Sequence, residues 1–169
     1  MVVLNLAQTG TPLTIDPAST LLTHLQANWG AAGAVSPDDP FITWSRSYTF
    51  YSKNKYAVII DHLRTKGPAQ IIGAGRYRFT GEYICEVIST GPNLDDAKDK
   101  LFTIKQEINR IVKTAISALN SSGFDEIGID DFTDSSSTQD NIAGLMGADM
   151  VNLAREKAVL TVVYDAVVT

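Results

Sequence analysis

Between Asn93 and Asn120 the apolar positions recur in steps of three and four: Leu94, Ala97, Leu101, Ile104, Ile108, Ile111, Ala115 and Leu119. At 3.6 residues per turn they form one stripe, so the segment is expected to be a single amphipathic helix. Asn93 is a natural N-cap with Asp96 three residues on, and Asp95, Asp96 and Asp99 put negative charge near the positive end of the helix dipole. Lys113 lies nearer the other end, and Ser121, Ser122 and Gly123 supply a stop. At about 1.5 Å per residue the rod would be on the order of 39 Å long. A small domain has room for one such rod, and its stripe needs a sheet beneath it.

The flanking sequence supplies that sheet. Residues 1–15 are apolar and Thr-rich with a Gly10-Thr11-Pro12 break, and are expected to form an extended arm on the domain or on a neighbour. Asp16 can cap a short helix with Pro17 at its first position, Leu21, Leu22, Leu25 and Trp29 on one face, and Gly30 at its end. Gly30 to Pro40 reads as loop. From Phe41 to Tyr51 the pattern alternates, with Ile42, Trp44, Tyr48 and Phe50 on one side and Thr43, Ser45, Ser47 and Thr49 on the other. Arg46 interrupts the row and could stack on an aromatic ring, reach the rim or pair with a carboxylate. Tyr56 to Asp61 is a short apolar strand, and His62 to Pro68 is expected to be a basic loop. In the next long strand Tyr77, Phe79, Tyr83, Cys85 and Val87 oppose Arg78, Thr80, Glu82 and Glu86, and Gly81 marks a bulge or a close backbone approach.

Beyond the long helix, Gly123 to Phe132 is a short strand candidate with Ile127 and Ile129 inward. Residues 133–150 are polar, then small and Met-bearing, as in a long mobile loop. Ile142, Leu145, Met146 and Met150 could make an adaptable helix for a partner groove, or a flap over the chain's own core. Arg155 to Val168 has apolar residues on both faces, as a central strand does. The expected fold class is α+β: a mainly antiparallel sheet of four to five strands packed on one long helix, plus a short N-terminal helix, in one domain spanning 16–169.

Composition narrows the classes. The chain has 169 residues, is 44% hydrophobic and carries a net charge of −5, which suits a folded domain and argues against a general nucleic-acid binder. Lys53, Lys55, Arg64, Lys66, Arg76 and Arg78 fall in one third of the chain, whereas Asp125 to Asp140 is acidic. That segregation fits either a head-to-tail partner interface or solvated surface. One cysteine, Cys85, excludes an internal disulfide framework and a multi-cysteine zinc site. No export signal or membrane-spanning run is expected, which places synthesis in a cytoplasm and makes the Asn120-Ser121-Ser122 sequon a helix end.

Candidate chemistry is sparse. Gly73-Ala74-Gly75 after Ile71-Ile72 lacks the third glycine and the following helix of a dinucleotide loop. His24 and His62 are far apart in sequence, and Asp125, Glu126, Asp130, Asp131 and Asp134 lack the glycine and terminal glutamate of a calcium loop. No Gly-x-Ser-x-Gly elbow exists for a serine hydrolase. Cys85 on an apolar strand face reads as a core thiol. Glu82 and Glu86 share a face, either as an acid/base pair or as a solvent or interface face. The expectation is no catalytic, cofactor or metal residue, and hence no enzyme.

The layout resembles a known family. A short N-terminal helix, aromatic strands, one long capped helix, a mobile loop and the closing strand Arg155-Glu156-Lys157-Ala158-Val159-Leu160-Thr161-Val162-Val163-Tyr164 are similar to the tail terminator (tail completion) and neck proteins of long-tailed bacteriophages. The resemblance implies a homohexameric ring in the virion tail or neck, assembled in the host cytoplasm, that caps the tail tube and joins it to the head-tail connector, without cofactor or membrane. Its candidate contacts are Lys53, Lys55, Arg64 and Lys66 with Leu145, Met146 and Met150 of the loop. A small α+β enzyme or ligand-binding domain with a pocket between sheet and helix is the alternative. An RNA-binding sheet using Tyr77, Phe79 and Tyr83 is a third reading, without the basic context such a strand needs.

Overall fold

The computed structural model describes residues 16–30, 42–45, 56–73, 75–114, 124–134 and 152–167. In chain order these form α1 (Pro17–Asn28), β1 (Ile42–Ser45), β2 (Tyr56–Gly73), β3 (Arg76–Thr90), α2 (Leu94–Thr114), β4 (Phe124–Ile129), β5 (Thr133–Asp134) and β6 (Leu153–Val167). Five strands lie in the order β1-β2-β3-β6-β4, and the two-residue β5 also pairs with β6. Among the described residues only β1 and β2 run parallel, and every other neighbouring pair is antiparallel. Two helices and a mainly antiparallel sheet make this an α+β fold, with the longer helix against the sheet.

The apolar stripe of α2 determines that packing. Ala97, Leu101, Ile104, Ile108 and Ile111 are all 3% exposed or less and meet Val58, Ile60, Cys85, Val87, Leu160 and Val162 on the sheet. The cap forms as its residue types require: the Asn93 side-chain oxygen accepts from the Asp96 N–H at 2.8 Å, while its amide donates to the Asp96 carboxylate at 2.7 Å. Leu94 departs from the expected stripe and is exposed. Ala115, Leu119 and the expected stop lie outside the described residues.

α1 begins at Asp16, whose carboxylate accepts from the Ala18 N–H, with Pro17 at the first position. Leu21, Leu22 and Leu25 enter the shared core, and Trp29, just past the last turn, meets Trp44 of β1 edge-on with ring centroids 5.1 Å apart. A buried carboxylate on the long helix holds the end of α1. Glu107 accepts from the Gly30 N–H at 2.9 Å and from Arg110, while Arg110 donates to the Asn28 carbonyl at 2.7 Å.

The expected basic loop at His62 to Pro68 is instead the middle of β2. Arg64, Thr65 and Lys66 pair with Glu82, Gly81 and Thr80 of β3. The sequence looks loop-like because the ladder breaks step between His62 and Arg64 and again between Lys66 and Gln70, so Leu63 and Gly67 to Ala69 are accommodated as irregularities. Gly67 has a φ of 127°, which only glycine adopts readily. Gly75, with a φ of 75°, leads into β3, and Gly73 pairs with Arg76, which places both glycines in a hairpin; Ala74 lies outside the described residues. The strand expected over Phe41 to Tyr51 is described only as Ile42–Ser45, so Arg46, Tyr48 and Phe50 lie outside. The expected long loop is likewise shortened at its start, where Thr133 and Asp134 pair with Lys157 and Glu156.

Candidate interface on the open sheet face

Uninterrupted pairing of β3 with β6 sorts their residues strictly between two faces. Tyr77, Phe79, Tyr83, Cys85 and Val87 fall on the helix side, with Tyr83 and Cys85 no more than 1% exposed. The aromatics of the RNA reading therefore lie on the side that the helices cover. Gly81 has its explanation here: a Cβ would fall 2.6 Å from the Tyr83 ring, so the bare backbone lets that ring lie flat across the strand. Tyr83 and Tyr164 hydrogen-bond each other, Tyr164 also meets Thr65, and burial pushes both phenol pKa values up. Burial also pushes the Cys85 thiol up to about 12, which leaves it protonated and inert at neutral pH.

The other face carries Arg76, Arg78, Thr80, Glu82, Ile84, Glu86 and Ile88 from β3, and Val163, Thr161, Val159, Lys157 and Arg155 from β6. It has two halves. Towards Tyr56 a satellite cluster of Ala57, Ile59, Ile88 and Leu153 is buried, and beside it Glu86, 1% exposed, is ion-paired with Arg155. Towards the hairpin the face is open: Thr80, Ile84, Val159, Thr161 and Val163 are half-buried, and a Cβ placed on Gly128 would meet nothing within 4 Å.

Charges on the open half are mostly neutralised within the chain. Asp165, only 2% exposed at its side chain, accepts from Arg76 and Arg78, and Arg78 also pairs with Asp125. The hydrogen bond to Asp165, aided by Asp125, pushes the Arg78 pKa still higher. Part of the basic stretch and part of the acidic stretch thus meet inside one molecule. Glu82 accepts from Arg64 at 2.5 Å and from Lys66 at 2.7 Å, and these cations hold its carboxyl below the ordinary range. Glu82 and Glu86 are two separate ion-pair centres with different cations, so they do not form an acid/base pair.

Two grooves flank this framework. One, of about 360 Å³, crosses the open face over Leu63, Ile84 and Val159, with Lys157, Asp130 and Asp131 at its rim. The other, of about 300 Å³, runs between the first turns of α2 and the start of β6, lined by Leu94, Lys98, Leu101, Leu153 and Ala154. Neither brings a nucleophile and a base together. Among the described residues no three His, Cys, Asp or Glu side chains are placed to hold a metal ion, and no helix is long and apolar enough to cross a membrane.

Of the residues expected at contacts, Arg64 and Lys66 sit exposed on β2, whereas Lys53, Lys55, Leu145, Met146 and Met150 lie outside the described residues. Three features escaped the sequence reading. Glu107 lies inside the apolar stripe between Ile104 and Ile108, and a carboxylate in that position with arginine three residues on signals a buried ion pair. Asp165, the acid in the apolar run from Val159 to Val167, gives the same signal. Gly128 gave none. No protein-family model matches this chain, and no curated protein matches it.

Proposed function

We propose that the protein is a structural component of a bacteriophage virion, similar to the tail terminators of long-tailed phages. It forms a homohexameric ring that caps the tail tube and joins it to the head-tail connector, and it has no catalytic role. One observation carries this reading: the helices cover one side of the sheet, while the hairpin half of the other side stays open and is built from mutually paired charges around an apolar strip. Such a surface suits contact with other proteins, because charges that already have partners cost less to bury than lone ones while the strip gains from burial. Heterologous contacts of this kind close into a ring where a filament would continue.

The 300 Å³ groove between α2 and β6 favours a second reading, a ligand-binding domain with its pocket between helix and sheet. Size-exclusion chromatography with light scattering and negative-stain microscopy separate the two. The ring predicts a hexamer mass and annular particles that bind the ends of tail tubes. A monomer that is stabilised by a small molecule and ignores tubes refutes it.

A further inference from the structure

We propose that the subunit contact of the ring is made by the two charged edges of the open face, the part of β2 beyond Ile59, where its pairing with β1 ends among the described residues, lying against the β4 edge of the next copy. The proposal rests on the ring reading in taking the neighbour to be a second copy of this chain.

The ladder shows why. Lys66 lies opposite Thr80, Thr80 opposite Val163, and Val163 opposite Glu126, so one rung of the sheet runs Lys66-Thr80-Val163-Glu126. The next runs Arg64-Glu82-Thr161-Gly128. The one after it runs Asp61-Ile84-Val159-Asp130, with the Asp130 N–H donating to the Val159 carbonyl at 3.0 Å. The first two rungs thus carry a cation at the β2 end and an exposed carboxylate, or the gap between two carboxylates, at the β4 end, whereas the third carries a carboxylate at both ends.

The two ends of a rung are three strand spacings apart, about 14 Å, too far for direct pairing within one chain. Over the first two rungs each edge finds its complement on an identical molecule set alongside at the same height. Lys66 of one copy then meets Glu126 of the next, and Arg64 meets Gly128, where the missing side chain leaves a gap between Glu126 and Asp130 in which a Cβ would meet nothing within 4 Å. Arg64 and Lys66 are already positioned for this: Glu82 holds both from behind, while their side chains stay 61% and 59% exposed. The cluster keeps one net positive charge against the three exposed carboxylates of Glu126, Asp130 and Asp131. The irregularities at Leu63 and Gly67 to Ala69 prevent a continuous backbone ladder along this edge, so the contact is one of side chains and depends on salt. Because each copy uses a different edge on either side, the contact is heterologous and can close a ring.

The test uses the full chain in sedimentation velocity and negative-stain microscopy. Reversing one edge (Arg64→Glu with Lys66→Glu) or the other (Glu126→Lys with Asp130→Lys) should weaken association on the order of tenfold or more and shift each protein towards monomer. Mixing the two reversed proteins should restore rings, since the edges are again opposite in sign. Gly128→Trp fills the gap from a position whose Cβ meets nothing within 4 Å, and it should also give monomers with unchanged circular dichroism, which covers the case of a charge variant that fails to fold. Rings that persist in Gly128→Trp and in any folded reversed variant overturn the edge contact and leave the ring standing. A wild-type chain that is monomeric at every concentration overturns both.

Discussion

Removing the Glu107 carboxylate should loosen α1 from the rest of the molecule. Its side chain is 1% exposed and accepts three hydrogen bonds, from Gly30 N at 2.9 Å, Arg110 Nε at 2.9 Å and Arg110 Nη2 at 2.5 Å. Breaking a fully buried ion pair costs about 3–5 kcal/mol. Here the Arg110 side chain is 45% exposed, so water recovers part of its solvation, and Glu107→Ala is expected to cost about 3 kcal/mol, near the bottom of that range. Arg110→Ala should cost a similar amount for a different reason, leaving a buried carboxylate with one backbone donor and the Asn28 carbonyl without the guanidinium.

Both single variants remove the same interaction, so the double variant should fall short of the sum by about 1–2 kcal/mol. Urea unfolding supplies the energies. Tryptophan emission supplies the location, because the chain's two tryptophans, Trp29 and Trp44, face each other where α1 ends. In Glu107→Ala the emission should shift to the red at urea concentrations where far-ultraviolet circular dichroism still reports a folded sheet. A cost below about 0.5 kcal/mol, the level of an ordinary surface change, or strict additivity of the two substitutions, would refute the clamp.

Four further outcomes follow from the packing. Ile108→Ala, at a fully buried position in the α2 stripe, should cost about 2–5 kcal/mol in urea unfolding. Gly81→Ala drives a methyl group into the Tyr83 ring and should cost about 1–3 kcal/mol, with a change in near-ultraviolet circular dichroism from the displaced tyrosine. Cys85 should resist a thiol reagent at neutral pH in the folded protein and react fully once denaturant is added. Burial holds the His24 imidazole below its ordinary pKa of 6.5, so between the two values the unfolded chain binds more protons; stability should be intact above pH 6.5 and decline as pH falls through it, and His24→Gln should flatten that part of the profile.

Periodicity made the long helix, its cap, the inward face of β3 and the central position of β6 legible in the sequence, because each depends on residues within a few positions of one another. The strand through His62 to Pro68 was hidden for the converse reason. Its propensities are those of a turn, and it is extended only because β3 offers Thr80, Gly81 and Glu82 as partners while Leu63 and Gly67 to Ala69 are absorbed out of step. The candidate site followed the same rule. Arg64 and Lys66 stood out as basic residues, but nothing local set them level with Glu126 and Gly128.

That levelling depends on one irregularity in β4. Phe124, Ile127 and Ile129 all pack on the helix side, yet Phe124 and Ile127 are three residues apart, and a regular strand would send them to opposite faces. The register shift between Phe124 and Glu126 resolves the conflict and turns Asp125 towards Arg78. It also sets Glu126 and Gly128 on the open face, opposite Val163 and Thr161. Were Asp125 paired in step, Glu126 would point into the core and the β4 edge would present Ile127 to solvent. The apolar residues that build the core therefore also decide where the acidic edge can be. A deletion of Asp125 should leave the facing of β4 as it is and remove only the partner of Arg78, whereas an insertion that brings Glu126 to the inner face should damage packing and association together.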